Sequence, residues 1–300
     1  MKRGMLIAVG ASMSMLSGCG DLSAEDDAAE VETTTSAIRG GTVTLHNPVV
    51  GLLALNDKGQ HVHTCTGVLI SPQYLLTAAH CVAGSLGGAQ YGAIYRTVQR
   101  YDEAWGQQLA TGWNERLWAW VHPDYKGVVS NIFGDFPVGD EDDDLAIVHR
   151  IPQPWSNVDL TDTTQDLMRI SQGTCTQIDR MTFYGAGFDG FSGENAGLLR
   201  EMPVNLKGCE SENFYDLEGS RAVCRGDSGG PYVVDVGGRE MVAGVLALME
   251  VTSGGSQNCA KGDGKQWGTR INSSKMAWIE SRVGACGSYS LSGHNYKRCW

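Results

Sequence analysis

Gly226-Asp227-Ser228-Gly229-Gly230-Pro231 is the stretch on which the reading of this chain turns. Alone it is a glycine-rich turn that holds a serine. Two further segments change its meaning: Leu76-Thr77-Ala78-Ala79-His80-Cys81 and Asp144-Leu145-Ala146-Ile147-Val148. They set His80, Asp144 and Ser228 in the order His, Asp, Ser, with separations of 64 and 84 residues. That is one of the chain orders in which a catalytic triad occurs. A serine hydroxyl is a poor nucleophile at neutral pH and needs a base within hydrogen-bond reach. His80 suits that base, taking the Ser228 proton and later returning it to the leaving group. Asp144 suits the group that holds the other imidazole nitrogen and stabilises the imidazolium. Singly, the plainer readings are a core histidine, a surface aspartate and a turn serine. Jointly, in this order, the chemical reading accounts for all three.

The sequence around these segments reads as β structure. From Ile38 onward short apolar runs alternate with Gly, Asp, Asn and Pro clusters. Val49–Leu55, Thr66–Ile70, Tyr74–Ala78, Leu117–Val121, Leu145–Val148, Tyr232–Val236 and Val242–Met249 are of strand length, and their spacing suits a sandwich or barrel. The 40 glycines fit a loop-rich β protein better than a helical one. Helical periodicity stands out only in Ser274–Val283, where Met276, Ile279 and Val283 share a face.

The three motifs together resemble the chymotrypsin-like serine endopeptidases. The resemblance covers about residues 38–283. It is supported by His122-Pro123-Asp124-Tyr125, by Gly268-Thr269-Arg270-Ile271 and by Trp278-Ile279. It implies an all-β fold of two antiparallel six-stranded β-barrels with the site in their cleft and a C-terminal helix. The barrels would span about 38–155 and 156–285, within a peptidase domain of 38–285. Residues 286–300 would form a disulfide-closed C-terminal extension. The implied reaction is peptide-bond hydrolysis through an acyl-enzyme by a monomer acting on protein or peptide substrates. No metal and no organic cofactor is implied. The backbone N–H groups of Gly226 and Ser228 would form the oxyanion hole, where one lost donor typically costs about 3 kcal/mol of transition-state stabilisation.

The resemblance also implies activation by cleavage between Ala37 and Ile38. The new Ile38 ammonium would pair with Asp227 and order the oxyanion hole. Arg39 departs from the small apolar residue usual at the second position. Among the cysteines, the resemblance implies Cys65–Cys81 bracing the histidine loop and Cys224–Cys259 beside the specificity pocket. The pairing of the other four stays open: Cys175–Cys209 follows by elimination, and Cys286–Cys299 would close the extension. The pocket floor corresponds to Ala222, which is neutral and cannot pair with a substrate Lys or Arg. Ala247-Leu248-Met249 stand where the wall usually carries a Ser-Trp-Gly-like run, with Met in place of Gly narrowing the entrance, and Gln266 falls near a wall position usually held by a small residue. A small or apolar P1 residue is therefore expected. Two alternatives stay open: a noncatalytic binding protein on a protease scaffold, and an esterase using the same triad.

The N-terminus carries Lys2 and Arg3, then an apolar stretch from Met5 to Leu16, as a signal peptide does. Its end, Leu16-Ser17-Gly18-Cys19, resembles a bacterial lipobox, which implies export and lipidation at Cys19. Residues 1–19 are thus read as signal peptide. Residues 20–37, acidic and nearly devoid of large apolar side chains, are read as a propeptide or linker. Transient membrane attachment through Cys19 would end on cleavage after Ala37, placing the enzyme in the cell envelope or medium. Eight cysteines beyond Cys19 fit disulfides made in an oxidising compartment. The formal net charge is −11, and −7 remains for residues 38–300. With no basic patch in view, nucleic acid is not an expected partner. The run Asp140-Glu141-Asp142-Asp143 could in principle bind Ca²⁺, although a solvated loop is the favoured reading.

Overall fold

A computed structural model describes residues 38, 41–44, 48–55, 61–82, 92–96, 117–126, 141–150, 167–187, 199–217, 221–249, 265–284 and 286–299. The expected signal, linker and lipidation residue Cys19 lie outside them. So do Ala37 and Cys259.

Two sheets organise these residues. The first joins β2 (Val49–Leu55), β3 (His61–Leu69), β4 (Tyr74–Thr77), β5 (Gly92–Arg96), β6 (Leu117–Val121) and β7 (Ala146–Arg150) in the order β5-β2-β3-β4-β7-β6. All of its pairings are antiparallel. Among the described residues its end strands β5 and β6 are not paired with each other, so the ladder is an open path of six strands. Val50, Leu69, Leu75, Ala146 and Val148 fill one of its faces. Val68, Leu76 and Ile147, one residue out of step with them, fill the other, as two-residue strand periodicity requires.

Among the described residues the second sheet has eleven strands rather than six. Its spine runs through β1 (Thr42–Val43), β10 (Arg200–Asn205), β9 (Arg180–Gly185), β13 (Pro231–Asp235), β14 (Glu240–Met249), β15 (Lys265–Arg270), β12 (Asn213–Leu217) and β11 (Gly208–Cys209). Three strands leave that path: β8 (Arg169–Ser171), β16 (Cys286–Leu291) and β17 (His294–Cys299). The expectation of purely antiparallel pairing fails at one place. β8 runs parallel to the start of β14, with Met241 opposite Arg169 and Val242 opposite Ile170. β15 pairs only from Gly244 onward, which leaves that end of β14 open to a further strand. A second departure concerns the chain's start: β1 pairs with β10, so it joins the second sheet and not the first.

The C-terminal residues form a hairpin whose second strand continues the sheet through Tyr296–Ser171 and Lys297–Ile170 pairs. A buried polar contact fixes it. The Gly173 N–H donates to Ser171 Oγ at 3.0 Å, and Ser171 Oγ is hydrogen-bonded to His294 Nε2 at 2.7 Å. Burial lowers the His294 pKa and favours the neutral ring. Helix α1 (Ser273–Val283) is capped by Asn272, whose side chain accepts the Lys275 N–H. Met276 and Ile279 on its inner face pack into the core with Val245 and Ile271.

Candidate active site

His80 sits in a single 3₁₀ turn, Ala79–Cys81, at the end of β4. Two bonds to one carboxylate fix it. Its backbone N–H donates to Asp144 Oδ1 at 2.8 Å, and its Nδ1 lies 2.6 Å from Asp144 Oδ2. An ionised carboxylate only accepts, so Nδ1 carries the proton and Nε2 is left as the basic nitrogen. Burial disfavours the charged ring, but the charge and hydrogen bond of Asp144 outweigh it and raise the His80 pKa. The His80 side chain keeps 29% of its surface exposed, whereas that of Asp144 keeps 6%. Asp144 lies two residues before the start of β7, and its carbonyl accepts from Thr269 Oγ1 at 3.2 Å.

Ser228 comes from the turn before β13 and reaches the same place. The Cys81 sulfur lies 3.8 Å from His80 Nε2 and 3.6 Å from the Ser228 carbonyl oxygen. The serine backbone is held from the first sheet, since Thr66 N–H donates to Ser228 O at 2.8 Å. Thr66 does more than that. Its hydroxyl donates to Gly226 O at 2.8 Å and accepts from Ala186 N–H at 3.0 Å. Its carbonyl accepts from Thr77 Oγ1 at 2.8 Å. In the sequence Thr66 is merely the first residue of an apolar run, and nothing beside it marks this role.

Backbone shape explains the glycines of the turn. Gly226 has φ 89° and Gly229 has φ 79°, a region that residues with a Cβ rarely adopt. At Gly229 a Cβ would also meet Thr77 Oγ1 at 2.1 Å and Thr66 O at 2.5 Å. The serine is thus flanked by positions that only glycine fills.

Asp227 is fully buried. Its Oδ2 accepts from Cys224 N–H at 2.7 Å and from Ile38 N–H at 3.1 Å, and its Oδ1 from Gly187 N–H at 2.9 Å. Burial outweighs these donors and pushes the carboxyl up to about 6. Ile38 is itself fully buried, at φ 45°. Gly187 was not anticipated as a partner.

Ala222 is buried, and so is Gln266, whose Oε1 accepts from Val223 N–H at 3.0 Å. Gln266 therefore braces the segment that carries Ala222 and Cys224. Ala247 falls at a register shift between Leu246 and Leu248, while Leu248 and Met249 are half-buried opposite Trp267 and Gln266. Disulfides join Cys65–Cys81, Cys175–Cys209 and Cys286–Cys299. Cys224 is also disulfide-bonded; its expected partner Cys259 lies outside the described residues.

The acidic run before Asp144 differs from the solvated loop expected of it. Asp142 and Asp143 are half-buried. Asp142 Oδ1 accepts from Asn213 Nδ2, and Asp143 Oδ1 lies 3.2 Å from Lys275 Nζ. His122, Asp124 and Asp143 do converge closely enough to share an ion. The Lys275 ammonium already stands beside Asp143, where a metal cation would otherwise be placed.

A family model described as Trypsin matches residues 38–279. A chymotrypsin of Phaedon cochleariae is 25% identical over 221 residues, covering 69% of this chain and 72% of that protein. Tonin of Rattus norvegicus is 26% identical over 216 residues, 66% of this chain and 73% of its own length. Chymotrypsin-like elastase family member 1 of Felis catus is 25% identical over 233 residues, covering 72% and 80% respectively. A match that starts at the buried Ile38 and ends within helix α1 makes this chain a member of the trypsin family of serine proteases.

Proposed function

We propose that the chain is a serine endopeptidase in which Ser228 is the nucleophile, His80 the general base and Asp144 the residue that orients and stabilises the imidazole. The observation that carries this reading is the 2.6 Å His80–Asp144 contact, which leaves Nε2 as the basic nitrogen, 3.8 Å from the Cys81 sulfur that lies 3.6 Å from the Ser228 carbonyl oxygen. The Gly226 and Ser228 N–H groups would form the oxyanion hole, and Gly226 has the positive φ that aiming such a donor calls for.

Cleavage between Ala37 and Ile38 would activate the enzyme. Two features support that site. Ile38 N already points at Asp227, and a β-branched residue at φ 45° is strained only while the preceding peptide bond exists. Cleavage there would also release the chain from a lipid at Cys19. The neutral Ala222 floor and the flanking Met249 and Gln266 favour a small or apolar P1 residue.

The test is the intact mass of the Ile38-started protein after exposure to a fluorophosphonate, beside Ser228→Ala. One adduct on the wild type alone is the expected result. A folded wild type with a verified Ile38 terminus and no adduct would overturn the reading.

A further inference from the structure

Lys275 is a residue that its local position does not favour. It is the third residue of α1, close to the positive end of the helix dipole, where a cation is destabilised. It is also fully buried, which lysine almost never tolerates without a partner. A tertiary reason has to outweigh both penalties, and two carboxylates supply it. Nζ contacts Glu212 Oε2 and lies 3.2 Å from Asp143 Oδ1. Glu212 is in turn gripped by Asn272 Nδ2, 2.8 Å from each of its oxygens. Asp143 also faces His122 Nδ1 at 3.4 Å.

Asp143 is the residue immediately before Asp144. Its carbonyl accepts from Leu145 N–H at 2.7 Å, and Leu145 O accepts from His122 N–H at 2.9 Å. The ammonium therefore holds the turn from which Asp144 reaches His80. It also cancels a second negative charge directly beside the one the imidazole needs.

We infer that Lys275 is a positioning residue: a buried cation that pins the Asp144 turn to helix α1 and neutralises Asp143 beside the His80–Asp144 pair. The inference rests on the triad assignment above. The charged and titratable groups facing this turn are Asp142 and Asp143 within it, Asp124, His122 and Tyr125 from the end of β6, and Glu212 from the β11–β12 turn. Arg270 from β15, Lys275 from α1 and His80 itself are the others among the described residues.

Removing the ammonium leaves Asp143 uncompensated, which stabilises the protonated form of His80. The experiment follows fluorophosphonate inactivation rate against pH for wild type, Lys275→Met, Asp143→Asn and the double variant. Loss of Lys275 should move the acid limb up by roughly half to one pH unit, as expected for a unit charge about 10 Å away at an effective dielectric of about 25–50. Asp143→Asn should move it down. The double variant, which removes both charges, should return the limb to near its wild-type position. Should Lys275→Met fail to fold, the near-isosteric Asp143→Asn and the double variant still read the limb. Limbs that coincide with wild type while rates merely fall would make Lys275 structural and overturn the inference. A wild type that takes no label overturns the triad reading, and the positioning role with it. A labelled wild type with unmoved limbs in the variants overturns the positioning role alone.

Discussion

Two carboxylates near the proposed triad, Asp227 and Glu212, meet burial in opposite ways. Asp227 is enclosed by neutral N–H donors from Cys224, Gly187 and Ile38, with Arg200 contributing only a weaker charge effect. Burial wins there, and the carboxyl is pushed up to about 6. For Glu212 burial acts in the same direction, but the hydrogen bond and charge of Lys275, with help from Asn272, win and hold the carboxyl below its usual range. At the fully enclosed Asp227 three peptide N–H donors do not offset burial, whereas at Glu212, whose side chain is 35% exposed, a full cation does. The first site is an anion waiting for a cation, and the second already has one. The proposed cleavage before Ile38 would convert that amide donor into an ammonium and so supply the missing cation.

The largest effect should come from Asp227→Asn in the Ile38-started enzyme. An asparagine keeps the shape but turns an NH2 against at least one of three buried N–H donors, and leaves the new ammonium unpaired. A buried group left unsatisfied costs roughly 1–3 kcal/mol, and more when charged. Fluorophosphonate labelling should fall by about a hundredfold, with the fold kept by circular dichroism. A loss below about threefold would mean that Asp227 does not order the serine turn.

The same site should show a pH dependence whose sign depends on cleavage. In the uncut chain the folded Asp227 pKa lies above its unfolded value near 3.8. The associated stability is therefore complete below about pH 4 and is lost as pH rises through 6. A shift of this size amounts to about 3 kcal/mol. The comparison is made in a Ser228→Ala background, which blocks self-cleavage. There the stability advantage of the protein that keeps Asp227 over its Asp227→Asn variant should shrink over that window. In the cut protein the ammonium favours the carboxylate, so the advantage should grow instead. Urea unfolding at pH 4 and pH 7 on both forms reads the two slopes; equal slopes would remove the contrast.

Much of this was legible because the chemistry is written in short runs. The glycines beside Ser228, the His80 turn and Asp144 are local sequence, and each side chain's role follows from its type. What was not legible depends on contacts far apart in the chain. Thr66 clamps a turn about 160 residues away, and nothing in its own neighbourhood distinguishes it from a strand threonine. The acidic run before Asp144 reads as a solvated loop, because a run of like charges is usually that. Its partner Lys275 sits in a helix some 130 residues later, and the one local sign was a basic residue where a helix start prefers acidic ones. The eleven-stranded second sheet was missed for a related reason. The strands β1, β8 and β11 are two or three residues long, too short for any periodicity, and exist only because a neighbouring edge lies open.

The smallest effect should come from Glu212→Gln, and it tests the locked half of the contrast. The Glu212 side chain keeps 35% of its surface exposed, so solvent screens much of its attraction to Lys275. Asp143 remains to hold the ammonium. The variant should lose about 1 kcal/mol or less at neutral pH. The sign of its pH dependence is the informative part. A lowered carboxyl pKa gives stability that is present above the unfolded value and lost as pH falls through the folded one. Wild type and Glu212→Gln should therefore differ at pH 7 and converge well below pH 4.5, the reverse of the uncut Asp227 case. A difference that stays constant with pH would assign the effect to lost packing instead of charge. Lys275 would then be held chiefly by Asp143, and the cation would belong wholly to the Asp144 turn.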